Sequence, residues 1–225
     1  MSHILNIHTA TGTAIVNLSK NGRTIATKSN QNQKEHAVFL HPAIDDILAS
    51  QQLTPKHLDA VCVTEGPGSY TGIRVGLSAA KGLCFALDIP MITLNTLYAM
   101  ACTAAHEMRD AQAFYCPMID ARRMEVYTAL YDYHLNEIIA PRAEILDLSS
   151  LKSIISDRHV FFSGDGCHKI KEWMEVGGQQ MLKTEIASDV LSEISFFYFN
   201  KKKFANIAYS KPLYLKEFYS PVKNV

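Results

Sequence analysis

Residues 65–76 have the sequence Glu-Gly-Pro-Gly-Ser-Tyr-Thr-Gly-Ile-Arg-Val-Gly. The apolar run Ala60–Thr64 before them is typical of a buried strand, and helical spacing follows from Thr71 to Leu87. Glycines permit a sharp turn and bring backbone amides to the N-terminus of the helix, where an anion can bind. The loop lacks the Gly-Lys-Ser/Thr ending of a P-loop, which excludes that motif. We therefore predict a strand–loop–helix unit in which Gly66, Gly68 and Ser69 are candidates for binding an anion.

The helix after this loop has small residues at spacings of three and four. Glycine costs about 1 kcal/mol relative to alanine inside a helix, so these glycines indicate that another backbone comes close. Two arrangements fit the pattern: packing inside this chain against a helix predicted from His36 to Leu48, or a helix–helix seam with a second subunit. Spacing alone does not separate them. The stripe consists of Gly72, Gly76, Ala79, Ala80 and Leu83.

The strand–turn–strand pattern that begins the chain recurs in its second half. Asn6–Val16 can be laid beside Met118–Thr128, and in both a further strand and then helices follow. A repeat of this length indicates duplicated lobes rather than a solenoid. We predict an α/β fold with an N-terminal lobe at 1–108 and a C-terminal lobe at 109–225, each with a mixed sheet flanked by helices.

Several local signals refine this prediction. Asn21-Gly22 predicts a hairpin, and Pro42 predicts that the His36–Leu48 helix starts late, kinks or divides. A further helix is expected at Ile170–Val176, and Ser188 is expected to cap a final helix that ends near Phe199.

Composition limits the classes of function. The 225 residues are 48% hydrophobic with a formal net charge of +0, enough for a core but without a long-range field that attracts nucleic acid. The five cysteines form no C-x-x-C pair, and we expect reduced core thiols in a cytoplasmic protein. We expect no signal peptide, and no apolar run approaches the roughly 20 residues of a membrane span.

Two such lobes resemble the actin-like ATPase fold (ribonuclease H-like) of sugar kinases, Hsp70 and actin. The resemblance implies that the first turn of each lobe faces nucleotide phosphates, which makes Thr11, Gly12, Thr13 and Asp120 candidates for binding them. In that fold an Asp normally precedes Gly-Thr, but here the nearest equivalent position is His8. Magnesium prefers hard oxygen ligands, so an independent ATPase site is in doubt.

The run from Gly66 to Gly76 resembles a signature of the TsaB (YeaZ) family, and Asp120–Tyr127 (Asp-Ala-Arg-Arg-Met-Glu-Val-Tyr) resembles a second one. Ile4–Thr11, Gly164–Gly166 and Pro212–Leu215 also fit, so the resemblance covers essentially the whole chain. It implies a protein of the glycoprotease-like group that performs no chemistry itself. Such a protein activates a TsaD-type catalytic subunit, together with a TsaE-type ATPase. The complex installs threonylcarbamoyl on the adenosine next to the anticodon of tRNA.

The resemblance also implies where partners bind. First-lobe helices form the interface with the TsaD-type subunit, and much the same surface forms homodimers in isolation. tRNA is then reached indirectly through the complex, and no metal, cofactor or membrane is expected, apart from weak ATP or ADP binding at a subunit junction. On this chain the interface residues are expected to be Val38, Ile44 and Arg74 together with the small-residue stripe.

Two other functions remain as alternatives. A stand-alone actin-like ATPase or kinase would use Gly12-Thr13, the loop at 66–69 and Asp120. A metallopeptidase would need a metal-binding histidine pair, yet His36 and His41 are five residues apart and point about 140° away from each other on a helix. We expect both histidines to be ordinary polar residues.

Overall fold

The computed structural model describes residues 1–174, 180–183 and 185–216. These residues form two five-stranded mixed sheets. The first sheet has the order β3-β2-β1-β4-β5 and consists of β1 (His3–His8), β2 (Ala14–Lys20), β3 (Arg23–Asn30), β4 (Ala60–Gly66) and β5 (Met91–Asn95). The second has the order β8-β7-β6-β9-β10 and consists of β6 (Phe114–Asp120), β7 (Glu125–Asp132), β8 (Glu137–Ile145), β9 (Val160–Ser163) and β10 (Gln180–Leu182).

The two sheets have the same topology. Each has an antiparallel meander of three strands followed by two strands that join the first strand's other side in parallel. In the first sheet Leu5 lies opposite Leu18 on β2 and beside Val61 on β4. The predicted duplication and the α/β fold are confirmed.

The described residues also form six α-helices: α1 (His36–Ser50), α2 (Tyr70–Leu87), α3 (Thr96–Met108), α4 (Leu148–Ile155), α5 (Lys171–Met174) and α6 (Ser188–Asn200). Helices α1 and α2 cover one face of the first sheet, with Leu40, Ile47 and Ala80 in a shared apolar core. Helix α3 contacts both sheets, and α6 packs on β1, β2 and β3.

The halves therefore interlock through a common core. This core contains buried residues from both sheets and from α3 and α6, among them Ile4, Leu97, Tyr115 and Leu191. Polar groups also hold α6 to the first sheet, since Asn17 Nδ2 donates to Ser192 Oγ at 2.7 Å. The chain then returns along the first lobe, where the Leu213 amide donates to the Glu65 carbonyl at 2.7 Å.

Some local predictions need correction. Pro42 lies inside a single α-helix, α1, which begins at His36, so the helix neither starts late nor divides. The helix expected at Ile170–Val176 is a 3-10 segment from Asp165 to Ile170 followed by the short α5, and Val176 lies outside the described residues. Ser188 begins α6 but does not cap it, because its hydroxyl is bonded to Thr27 Oγ1 at 2.9 Å.

All five cysteines are free and buried, as predicted. Within the described ranges, no helix is long and apolar enough to cross a membrane.

Candidate functional site

The turn after β1 is built around a buried histidine. His8 is 1% exposed; its Nδ1 lies 2.9 Å from Thr64 Oγ1 and its Nε2 lies 2.7 Å from Thr11 Oγ1. A neutral imidazole satisfies both bonds, with one nitrogen donating and the other accepting. Burial, and then the nearby His36, lower the pKa of His8 to about 3. At neutral pH the position that corresponds to the usual carboxylate is therefore an uncharged ring.

A second histidine closes the same turn. His36, at the start of α1, is 2% exposed, and its Nε2 donates to the Gly12 carbonyl at 3.2 Å. Its other ring nitrogen is buried with no hydrogen-bond partner among the described residues. The prediction that His36 is an ordinary polar residue of the helix was wrong, because the ring reaches back to the turn, whereas His41 is exposed.

The Gly-rich loop packs directly on this turn. The Ser69 amide donates to the Ala10 carbonyl at 2.7 Å. Gly68 has φ +150, and a side chain there would overlap the Ala10 carbonyl. Ser69 also caps α2, because its hydroxyl accepts the Gly72 amide at 3.3 Å. The structure thus brings the loop together with the turn that contains Thr11, Gly12 and Thr13.

Asp120 lies on the equivalent turn of the second lobe, where a lysine neutralises it. Lys169 Nζ is 2.6 Å from Asp120 Oδ1 and also donates to the Glu125 carbonyl at 2.8 Å. Burial alone would raise the pKa of the Asp120 carboxyl. Hydrogen bonds from Lys169 and the Arg122 amide, with the Lys169 and His168 charges, outweigh burial and lower that pKa.

The sequence analysis did not identify Lys169 as a partner of Asp120. It lies 49 residues from its partner, and no local pattern marks it. The Gly164-Asp165-Gly166 segment was the available signal, since Asp165 Oδ1 accepts the Asp120 amide at 2.9 Å. That bond places the 3-10 segment, and with it Lys169, beside the turn.

The small-residue stripe of α2 faces its own sheet. A side chain on Gly72 would overlap the Thr9 carbonyl, and one on Gly76 would overlap Thr9 Oγ1. The Thr9 hydroxyl donates to the Gly72 carbonyl at 2.6 Å, which fixes this close approach. Packing inside the chain therefore explains the glycines, although the nearest backbone belongs to the turn after β1 and not to α1.

This packing buries some of the predicted interface residues and leaves others at the surface. Ile44 and four stripe members lie inside the monomer, so their assignment to a partner surface is corrected: Gly72, Gly76, Ala79 and Ala80 are all buried. Leu83 is half-buried, while Val38 and Arg74 lie at the surface. The outer faces of α1 and α2 expose two large apolar residues, Val38 at 76% and Phe85 at 83%. The outer face of α2 also has Gly82, where an added Cβ would meet open space.

In the part of the chain that the structure describes, no group of three or more His, Cys, Asp or Glu side chains is placed to hold a metal ion.

Comparisons with known proteins agree with the architecture and its motifs. Residues 24–212 match a family model described as TsaD, tRNA N6-adenosine threonylcarbamoyltransferase. The tRNA threonylcarbamoyladenosine biosynthesis protein TsaB of Bacillus subtilis (strain 168) is 33% identical over 175 residues, which are 76% of this chain and 75% of that protein. TsaB of Escherichia coli (strain K12) is 32% identical over 174 residues, 77% of this chain and 70% of its own length. A Pseudomonas aeruginosa crystal structure, described as similar to peptidase YEAZ, has the same fold. Its TM-score is 0.80 at 24% identity over 96% of this chain and 100% of that one.

Proposed function

This chain belongs to the TsaB family of tRNA threonylcarbamoyladenosine biosynthesis proteins, and we propose that it acts there as a non-catalytic subunit. Its role is to bind and activate a TsaD-type threonylcarbamoyltransferase in the cytoplasm, in a complex that a TsaE-type ATPase joins. In this proposal tRNA is reached through the complex. The chain alone holds no cofactor, although ATP or ADP binds weakly at a subunit junction.

The observation that supports a non-catalytic role is the pair of side chains at the two turns that we predicted to face a nucleotide, His8 and Asp120. Mg²⁺ bound to nucleotide phosphates needs hard oxygen ligands. His8 supplies a neutral ring in the first lobe, and Asp120 in the second lobe is already paired with the Lys169 ammonium. A stand-alone ATPase or kinase would require a free carboxylate at these turns. The metallopeptidase alternative would need a group of metal-binding side chains, and the described residues contain none with three or more His, Cys, Asp or Glu.

The surface that we assign to the partner is the exposed part of α1 and α2 around Val38, Gly82 and Phe85. Val38 on α1 and Phe85 on α2 are the most exposed large apolar side chains of the first-lobe helices, and their burial against a partner would be favourable. Gly82 lets a partner helix approach α2 closely, because nothing in this chain covers it within the described residues. The same surface would form the homodimer when the TsaD-type subunit is absent.

The test is co-expression with the TsaD-type protein of the same organism, followed by size-exclusion chromatography. The test also includes a tRNA threonylcarbamoylation assay with and without this chain, and a measurement of ATP turnover by this chain alone. We expect a stable heteromer, modification that depends on this chain, and negligible turnover by the isolated chain. Turnover that disappears in the Asp120→Asn variant would instead establish the chain as an ATPase and overturn the proposal.

A further inference from the structure

A basic groove lies between α2 and the segment at 209–214 that returns along the first lobe. Its volume is about 340 Å³. Its polar lining consists of Arg74, Ser78 and Lys81 from α2, and Ser210, Lys211 and Tyr214 from the returning segment. None of the described residues that line it has a carboxylate.

Two tyrosines hold Arg74 in place. Its guanidinium lies 3.9 Å from the centre of the Tyr70 ring, and its Nε donates to the Tyr214 hydroxyl at 2.7 Å. The two rings stack on each other with centroids 5.5 Å apart. A guanidinium fixed in this way loses little side-chain entropy when an anion binds its remaining N–H groups. The arginine is therefore preorganised for an anionic ligand.

The charge in the groove is a local feature of the surface. The whole chain has a formal net charge of +0, yet Arg74, Lys81 and Lys211 line one cavity. No ion pair among the described residues joins any of the three to an acidic group. Like charges at close quarters repel each other, so an anion that binds all three would relieve that cost. The hydroxyls of Ser78 and Ser210 add hydrogen-bond donors.

We propose that this groove binds the phosphodiester backbone of RNA. Exposed aromatic rings lie along the same segment, with Tyr209 85% and Tyr214 44% exposed, and bases stack on such rings beside backbone-binding cations. An acidic protein segment would match the charge of the groove but has no bases to stack on these exposed rings. That the RNA is tRNA rests on the proposed function, to which this groove adds a direct contact between tRNA and this chain.

The experiment is fluorescence anisotropy of labelled tRNA titrated with the full chain at several salt concentrations. The test variant is Lys81→Gln/Lys211→Gln, and the matched control is Lys201→Gln/Lys202→Gln, which removes the same charge from another surface. Each lost phosphate contact lowers the slope of log affinity against log salt by about 0.7 to 0.9. We expect a slope smaller by about 1.4 to 1.8 and about tenfold or more weaker binding at 0.1 M salt in the test variant, with little change in the control.

Equal losses in both variants, or no measurable binding by the wild type, would overturn the proposal. So would displacement of the tRNA by polyglutamate as effectively as by unlabelled RNA, because the groove would then recognise negative charge of any kind. Free ATP and inorganic phosphate are tested as two further competitors; if either displaces tRNA at micromolar concentration, the ligand is a small phosphate and not RNA.

Co-purification of the test variant with the TsaD-type protein is scored separately. A loss there would place the groove in the protein interface and overturn only the RNA proposal, whereas failure of the wild type to bind that protein would overturn the proposed function.

Discussion

Lys169 Nζ lies 2.6 Å from Asp120 Oδ1, and the lysine side chain is only 6% exposed. The carboxylate that we predicted to face a nucleotide in the second lobe thus forms an ion pair within the chain. In the first lobe the equivalent position has no carboxylate, because it is His8. The two turns are related by the duplication of the fold: the first has a neutral ring at this position, and the carboxylate of the second is paired with Lys169.

The first prediction concerns this ion pair. Lys169→Met should lower the free energy of unfolding by about 1 to 3 kcal/mol, because a hydrogen bond to a charged group is lost and the Glu125 carbonyl loses its donor. Asp120→Asn alone should cost at least as much, because it leaves the Lys169 ammonium, which is only 6% exposed, without its carboxylate. In a double-mutant cycle measured by urea denaturation, the double variant should be less destabilised than the sum of the two single variants. Strict additivity would show that the pair is not coupled.

The second prediction is a pH dependence that arises from His8. The ring has a pKa of about 3 in the folded chain and an ordinary value of 6.5, so between these values the unfolded chain binds the extra proton. The stability that this histidine contributes is therefore complete above pH 6.5 and is lost as pH falls towards 3. Urea denaturation should show a loss of about 2 kcal/mol between pH 6.5 and pH 5. In His8→Asn this loss should be absent.

The control for that experiment is His41→Asn, which removes an exposed histidine from α1. It should keep the wild-type loss of stability between pH 6.5 and pH 5. Asp120, whose folded pKa is also lowered, acts in a separate window: its stabilisation is lost only as pH falls below about 3.8. The same dependence in wild type and His8→Asn above pH 5 would contradict the buried, neutral imidazole.

The third prediction compares two glycines of α2. Gly72→Ala should destabilise the monomer by several kcal/mol or prevent folding, because the new Cβ would overlap the Thr9 carbonyl, which is backbone and cannot rotate away. Gly82→Ala should stabilise it by about 0.5 to 1 kcal/mol through helix propensity, since the position is open. Urea denaturation of both variants is the measurement. Equal stability would mean that the inner face of α2 is not packed on the turn after β1.

These two glycines also show what the sequence could and could not predict. Strands, the Asn21-Gly22 hairpin and the strand–loop–helix unit follow from local periodicity and turn chemistry, and they were confirmed. The sequence could not predict which face of α2 packs on the sheet, because small residues lie on more than one face: Gly82 is about 120° around the helix from Gly76. Which face meets the sheet depends on a turn more than 60 residues earlier in the chain, through the bond from Thr9 to Gly72. The Lys169–Asp120 pair depends on a similarly long-range contact.

The last prediction tests the partner surface. Phe85→Asp should abolish or strongly reduce co-purification with the TsaD-type protein, because it puts a charge where an apolar side chain 83% exposed in the monomer would be desolvated. Gly82→Glu should have the same effect by keeping a partner helix away from α2. Both variants should remain folded by circular dichroism, since neither residue is buried in the monomer.

The matched control is Ile145→Asp, which makes the same change at a residue of the second lobe that is 70% exposed. It should co-purify as the wild type does. By contrast, Gly76→Asp is not informative about a partner, because it would disrupt the monomer where the helix meets Thr9. If Phe85→Asp and Gly82→Glu bind the TsaD-type protein as well as Ile145→Asp does, the outer face of α2 is not the interface. The surface that activates the partner must then lie elsewhere on the chain.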